Sequence, residues 1–350
     1  MKKTIIIAIS LILLAILTTG CIKVKIGISE GGIFKSVDAT ASWQPKINLL
    51  SIEKEGKTLR GVNATALVFD PQDSGTLYLG TEKDGVFVSI DAAESWQKIS
   101  RLPNDRINAI AVHPKAKHIV YFAAANRIFK SLDCCRTFNA VYLESTPQVE
   151  IVSLAIDSDS PERIYAGISD GRIIRSENGG TSWLNLNTFP GKIKQILVNP
   201  KNTQTVYAVV TGQGIFRSKD SGANWQSLGD NFKSFADAND VNKLIFDLTK
   251  PNSLLSASNY WLLRSDDGGD TWINYKLLTS GSKNKIYSLA INPQNPNILY
   301  YLAANTLYKS IDMGMSWTTK SLPTKSVPIE FLIDPANPNI LYLGANAIRN

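Results

Sequence analysis

Two histidines and three cysteines are all that the 350 residues contain, and that scarcity excludes a good deal. A zinc-type cluster needs several such ligands and a triad hydrolase needs a histidine base, so no metal, no cofactor and no histidine-driven nucleophile is expected. Both histidines, His113 and His118, fall in one expected turn. Cys134 and Cys135 are neighbours in the chain and cannot bridge distant segments, so the fold is not a disulfide scaffold, and they read as two loop thiols. A helical hydrophobic period is missing throughout, which points to an all-β chain. Although the formal net charge is +7, no strand carries a dense Arg/Lys stripe. The mild basicity suits anionic lipid or a cell-envelope polymer and gives no reason to expect a nucleic acid.

Long apolar runs are also scarce. The one at the N-terminus, Thr4 to Leu17 after Met1, Lys2 and Lys3, is shorter than the roughly 20 residues a spanning helix needs. It reads as an export signal over residues 1–21, ending Thr18, Thr19, Gly20, Cys21. The Gly-Cys junction resembles a bacterial lipobox, with Thr18 standing where that pattern usually has Leu. The resemblance implies that Cys21 is diacylated and becomes the mature N-terminus. Residues 22–31 would then be a short tether, and residues 32–350 a single domain held close to the cell membrane or outer membrane, outside the cytoplasm.

What the chain has in quantity is a repeat. A Ser-x-Asp box closing on an aromatic residue occurs seven times: Ser36/Asp38/Trp43, Ser89/Asp91/Trp96, Ser131/Asp133/Phe138, Ser176/Asn178/Trp183, Ser218/Asp220/Trp225, Ser265/Asp267/Trp272 and Ser310/Asp312/Trp317. Six of the seven tryptophans hold its last position. The Asp carboxylate and Ser hydroxyl are suited to accept from backbone N–H groups left unpaired in a tight turn. The fifth position, often Gly, supplies a backbone conformation that a side chain hinders. The aromatic residue is expected to begin the next strand, to cover the turn and to pack between neighbouring units. Each box is therefore expected to be a structural staple and not a catalytic carboxylate.

A second signal runs in phase: an apolar strand ending near Asp70, His113, Asp157, Asn199, Asp247, Asn292 and Asp334, then a strand such as the one through Tyr78 and Gly80, then a third entering the box. Four short strands per repeat, joined by turns, are the blades of a propeller. Six full sets run from about residue 64 to about residue 322. The C-terminus supplies a first and second strand, and the N-terminal box supplies the third and fourth. The expected fold is a seven-bladed propeller of four-stranded antiparallel blades, closed by both chain ends sharing one blade, with no sheet edge left open around the ring. Lys25 to Gly32 competes for the second-strand slot of that blade, and the C-terminal segment is expected to win it.

These paired motifs resemble the BNR/Asp-box superfamily over nearly the whole exported part of the chain. The resemblance implies the fold and leaves the function open. In length, blade count and anchoring the chain looks most like the photosystem II assembly and stability factors, which are non-enzymatic. Sialidases share the boxes but have an Arg-Ile-Pro segment, whereas here each Arg-Ile is followed by Asn108, Phe129, Tyr165 or Ile174. Xyloglucanase-type glycosidases have similar blades but use two propellers facing across a cleft.

Glycoside cleavage needs two carboxyls across one cleft. Asp105, Glu150, Asp237, Asp240, Glu82, Asp84 and Asp170 fall on one expected face, and nothing in their spacing singles out a pair. No catalytic residue is therefore assigned. Counting seven and five residues back from each first-strand end gives Asn63/Thr65, Arg106/Asn108, Glu150/Val152, Lys192/Lys194, Asp240/Asn242, Lys285/Tyr287 and Val327/Ile329. Period-two geometry would set both members of each pair on one side, at a channel mouth. Arg106, Asn108, Lys192, Lys194, Asp240, Asn242, Lys285 and Tyr287 are the candidate binding rim, with Tyr260 and Trp261 beside it. The function expected is a lipid-anchored, monomeric scaffold for a protein or polysaccharide partner in the cell envelope, the alternative being a sialidase-like or xyloglucanase-like hydrolase. The charged connection from Pro45 to Gly61 is either a docking loop or an insertion without a role.

Overall fold

The structure, a computed structural model, describes residues 31–50, 58–278 and 285–347. The expected export signal, Cys21, the tether up to residue 30 and the middle of the 45–61 connection lie outside the described residues. Among those described, no helix is long and apolar enough to cross a membrane.

Seven antiparallel four-stranded sheets make up the fold. Blades one to six follow in sequence, their innermost strands being Ala64–Asp70, Ile107–Val112, Ile151–Ile156, Ile193–Val198, Val241–Phe246 and Ile286–Ile291. Blade seven is assembled from Val327–Ile333, Leu341–Asn346, Gly32–Ser36 and Gln44–Pro45, in that order from the axis outward. Gly32–Ser36 pairs along its whole length with Leu341–Asn346, Phe34 opposite Leu343. The C-terminal segment thus takes the contested slot. Each innermost strand packs on the next, and Val327–Ile333 packs back on Ala64–Asp70, so the ring is closed.

The second strands of blades two to six, such as Val120–Ala124 and Ile164–Ile168, are buried at every position because blades cover both of their faces. Glycine in these strands lets the next blade approach: a Cβ at Gly167 would stand 2.5 Å from Ile193 Cγ2. The apolar clusters lie between blades, each joining one blade's second and third strands to its neighbour's first.

The box turns form as the residue pattern requires. In the first, Ser36 Oγ donates to Asp38 Oδ1 at 2.8 Å and accepts from Thr40 N–H at 2.9 Å, while Asp38 Oδ1 also accepts from Ser42 N–H at 2.8 Å. Asn178 substitutes without loss, accepting from Ser182 N–H through Oδ1 and donating to Ser182 Oγ through Nδ2. The backbone demand is wider than the fifth position alone. The fourth and fifth residues of every box both have positive φ, from Ala39 and Thr40 to Met313 and Gly314. Where glycine stands there it also makes room, since a Cβ on Gly314 would lie 2.3 Å from Tyr275 Cδ1.

The box aromatics depart from expectation in two respects. Trp43, Trp96, Phe138, Trp183, Trp225, Trp272 and Trp317 do not begin the fourth strands, which start one residue later, at Gln44, Gln97, Asn139, Leu184, Gln226, Ile273 and Thr318. The turn is closed by the backbone N–H of the residue just before the aromatic, as Ser316 donates to Asp312 Oδ1, so the chain enters the ladder only after the ring has been placed. Nor are the rings equally covered. Trp96 is fully buried and Trp272 and Trp317 nearly so, whereas Trp43, Trp183 and Trp225 are half-buried. The difference follows from what each ring meets. Trp272 stacks on Phe232 with centroids 5.0 Å apart, and Trp317 lies edge-on to both Tyr301 and Tyr275. Trp43 has a single ring neighbour, Phe331 at 6.3 Å. Trp225 meets Phe189 edge-on at 5.5 Å. The indole N–H is also used in two ways. In Trp96 and Trp317 it reaches across to the carbonyls of Lys46 and Lys276, whereas in Trp225 and Trp272 it closes its own turn on Gly222 O and Gly269 O.

Neighbouring blades are clamped at these turns. The carbonyl of the fourth box residue accepts from a second-strand tyrosine and a third-strand cation of the preceding blade. Tyr121 Oη and Lys130 Nζ reach Gly179 O at 3.1 and 2.9 Å. Tyr207 Oη and Arg217 Nη1 reach Gly268 O at 3.0 and 2.9 Å. Tyr342 Oη and Lys35 Nζ reach Ala92 O at 3.2 and 2.7 Å, which locks the shared blade to blade one.

The 45–61 connection is partly structural. Its described ends cover blade one: Trp96 N–H donates to Asn48 O, Leu50 N–H to Trp96 O, and Leu59 is fully buried.

Candidate functional site

At the start of each innermost strand the ladder skips one residue. Ile151 lies opposite Ile168 and Ser153 opposite Gly167, leaving Val152 without a partner. The skipped residues in the seven blades are Thr65, Asn108, Val152, Lys194, Asn242, Tyr287 and Ile329. A bulge releases a residue from the ladder and re-aims its side chain. All seven line one cavity of about 420 Å³ at the mouth of the axial channel. None of the box residues lines it, the aromatic ones included. The seven are the five-back positions of the sequence analysis, but alternation is not what places them, because a period of two does not continue through a bulge.

Four of the seven bind the next blade's backbone. Thr65 Oγ1 donates to Ile107 O, Asn108 Nδ2 to Ile151 O at 3.0 Å, Lys194 Nζ to Val241 O at 3.0 Å, and Asn242 Nδ2 to Ile286 O at 3.2 Å. Lys194 also pairs with Asp240 at 2.9 Å, and Asp240 accepts from Asn259 Nδ2 at 2.7 Å. Lys194, followed by the Asn259 amide, holds the Asp240 carboxyl below its ordinary value against the opposing effect of burial. Asn108, Lys194 and Asn242 therefore act as ties between blades as well as lining the mouth, and Asp240 ties in through Lys194 without lining it.

The remaining rim residues are freer. Arg106 donates from Nε to Asn108 Oδ1 at 2.9 Å and lies 3.5 Å from Glu82, which also accepts from Asn63 Nδ2. Lys285 Nζ stands 5.5 Å from the centre of the Tyr287 ring. Lys192 is exposed. Trp261 is not presented to solvent as an open contact: its Nε1–H donates to Ala236 O at 2.7 Å and its ring packs edge-on against Phe235. Tyr260 beside it is exposed.

Below the mouth the channel is crossed. Lys243 of blade five reaches Glu330 of blade seven, Nζ lying 2.8 and 3.1 Å from the two carboxylate oxygens. Gln195 and the backbone of Leu244 bond reciprocally at the same depth. The axial cavity is a cup that the Lys243–Glu330 bridge spans, its lining continuing to Val68 and Leu332.

The carboxylates of Glu82, Glu150, Asp240 and Glu330 accept from Arg106, Asn108, Lys194 and Lys243 respectively. Asp170 pairs with Arg172, away from the mouth. Asp70, which burial pushes up, sits where an innermost strand ends, at the face opposite the cup. His113, pushed down by burial, lies in the corresponding turn of blade two and accepts from Lys115 N–H.

The family model described as Sortilin, neurotensin receptor 3 (Sortilin-Vps10) matches residues 171–262. Over 89 residues the chain is 27% identical to a probable oligoxyloglucan-reducing end-specific xyloglucanase of Neosartorya fischeri, which is 25% of this chain and 10% of that protein. Among solved structures it is similar to the GH74 xyloglucanase of Xanthomonas campestris, with a TM-score of 0.66 and 18% identity over 81% of this chain and 51% of the other. It is similar also to YCF48 bound to D1 peptide, with a TM-score of 0.63 and 15% identity over 83% of this chain and 94% of the other. The fold is that of the Asp-box propellers. The match thus spans a tenth of the curated relative and about half of the xyloglucanase structure. Against YCF48 this propeller accounts for almost the whole chain.

Sequence reasoning missed the seven bulges and the clamps. The clamps had a visible signal: the residue before the box serine is Lys35, Lys130, Arg175, Arg217, Arg264 or Lys309 in six of the seven copies.

Proposed function

We propose that the chain is a non-enzymatic propeller, lipid-anchored through Cys21 outside the cytoplasm, that presents its channel-mouth face to a protein partner of the cell envelope as a binding or assembly scaffold. The observation that carries this reading is the ring of bulged residues locked to neighbouring blades, which makes a pre-formed polar face at low ordering cost on binding. The extent of the match to YCF48, a single propeller whose solved complex holds a D1 peptide, supports it further. Arg106, Lys192 and Lys285 give the face cations suited to an acidic or polar segment. The propeller works as a monomer and takes no nucleic acid.

A photo-crosslinking residue at position 192 should capture a protein from the envelope, whereas one at Met315, exposed among the box turns of the opposite face, should not. Equal capture at both positions contradicts the reading, and capture of polysaccharide alone at position 192 overturns its protein-partner clause. Cys21→Ser should release the chain from the membrane fraction. The xyloglucanase likenesses favour a second reading, glycoside hydrolysis. Reducing-end release from xyloglucan oligosaccharides that disappears in Asp240→Asn would establish it in place of the first.

A further inference from the structure

Three departures from the repeat fall on one interface, that between blades one and two. Val88 occupies the position that holds Lys or Arg before the other six box serines. Phe138 replaces tryptophan at the end of the second blade's box, and Cys134 and Cys135 occupy its two positive-φ positions. Each change removes something that other junctions contain. Without a third-strand cation nothing among the described residues grips the Cys134 carbonyl in the way Lys130 grips Gly179. Without an indole there is no counterpart of the bond by which Trp183 Nε1 holds Val141 O of the preceding blade. Phe138 packs edge-on to Phe122, and Val88 and Cys135 lie against the same cluster, but the junction is not filled. At the fifth-to-sixth junction, by contrast, Arg264 is buried and bonded to Asp247 and Asp266.

What results is a cavity of about 710 Å³. Its inner wall is formed by Tyr78, Val88 and Ile99, and its edge carries Arg101, Lys117 and Arg136 from both blades. None of these three cations forms an ion pair among the described residues. Asp70 and Asp73, which also line it, already accept from Gln72 N–H and from Gly75 N–H with Thr76 Oγ1. A pocket of this size with an apolar wall and a rim on which Lys98, Arg101, Lys117 and Arg136 outnumber Asp70 and Asp73 has the composition of a small-molecule site, and guanidinium groups pair with oxyanions through two N–H donors.

We propose that the cavity between blades one and two binds a small amphipathic organic anion, its apolar body against Tyr78, Val88 and Ile99 and its acidic group toward Arg101, Lys117 and Arg136. The site is distinct from the channel mouth and does not depend on the function proposed for it.

The test is calorimetric titration of the full chain with naphthalene-2-sulfonate, which should bind at one site. Sodium sulfate and 2-naphthalenemethanol, each carrying half of the chemistry, should bind at least tenfold more weakly. Val88→Arg, which restores the cation of the other blades, should weaken the sulfonate at least tenfold with no fall in Tm. Because all three cations are exposed, Arg101→Glu with Arg136→Glu keeps the test decisive if Val88→Arg misfolds, and should weaken binding at least fivefold. Bound sulfonate should slow alkylation of the neighbouring Cys134, followed by peptide mass analysis. Absence of binding, equal binding of the neutral alcohol, unchanged affinity in the variants, or an unchanged rate at Cys134 would each overturn the proposal.

Discussion

Lys243 and Glu330 meet across the propeller axis, Nζ 2.8 Å from Oε2, although blade six stands between the blades that carry them. Both side chains are about one-fifth exposed. Removing one partner leaves the other charge poorly solvated, so Lys243→Met should cost about 1–3 kcal/mol and Lys243→Met with Glu330→Met should recover most of it. Urea unfolding of the two variants at pH 7 measures the coupling directly.

The clamp at the fourth-to-fifth junction should matter more than a surface ion pair. Arg217 is buried and its guanidinium serves Gly268 O, Gln226 and Asp270 at once. Arg217→Met should lower stability by about 2–4 kcal/mol, because Gly268 O loses one of its two donors while Gln226 and Asp270 lose theirs. Tyr207→Phe, which removes only the second donor to the same carbonyl, should cost about 1 kcal/mol. Equal effects would mean that the two donors do not share the acceptor as described.

The rim lysines separate structure from recognition. Lys194 ties blade four to Asp240 and Val241, whereas Lys192 is exposed. Lys194→Ala should depress Tm by about 1–2 °C, an effect of about 1 kcal/mol. Lys192→Glu should leave Tm unchanged and reduce partner capture. A thermal melt and a crosslinking yield for each variant distinguish the two roles.

Acid should loosen the box turns. In Asp38 the Ser42 hydroxyl, and then the Ser42 N–H, hold the carboxyl at about 2, and Asp312 is held at about 2 by Ser316 in the same order. A carboxyl lower in the folded than in the unfolded state adds stability above its unfolded value, near 4, and loses it as pH falls toward 2. Tm should therefore fall between pH 4 and pH 2. Asp38→Asn with Asp312→Asn should make that fall shallower, because an Asn does not titrate yet makes the same turn bond, as Asn178 does in its own box. Melts at pH 5, 4, 3 and 2 show whether it does.

The ring was readable from the chain because its cause is local and repeated. A serine and a carboxylate four residues apart from their backbone donors specify a turn, and seven copies specify seven blades. Closure followed by counting, since box one had no first strand before it and the tail had no third strand after it. How deeply each box tryptophan sinks was not readable: Trp43 and Trp272 end similar boxes, and only the ring that the neighbouring chain brings to each sets them apart. The channel mouth was readable only in part. Asn108, Lys194, Asp240 and Asn242 were picked out as rim residues, yet their bonds to neighbouring blades depend on contacts more than 40 residues apart in sequence. The bulges that aim them leave no residue signature, for Thr65, Val152 and Tyr287 share nothing but position. Val88 was visible as a break in a run of lysines and arginines. Its consequence, an open cavity, needed the neighbouring blade to be in place.

Ring closure by the two chain ends is probed most directly by amide hydrogen exchange of the unmodified protein. Gly32–Ser36 and Leu341–Asn346 should exchange as slowly as Ile164–Ile168 in the middle of blade three, because each supplies the other's ladder. Rapid exchange of Gly32–Ser36 while blade three stays protected would mean that the head and tail of the chain do not share a blade.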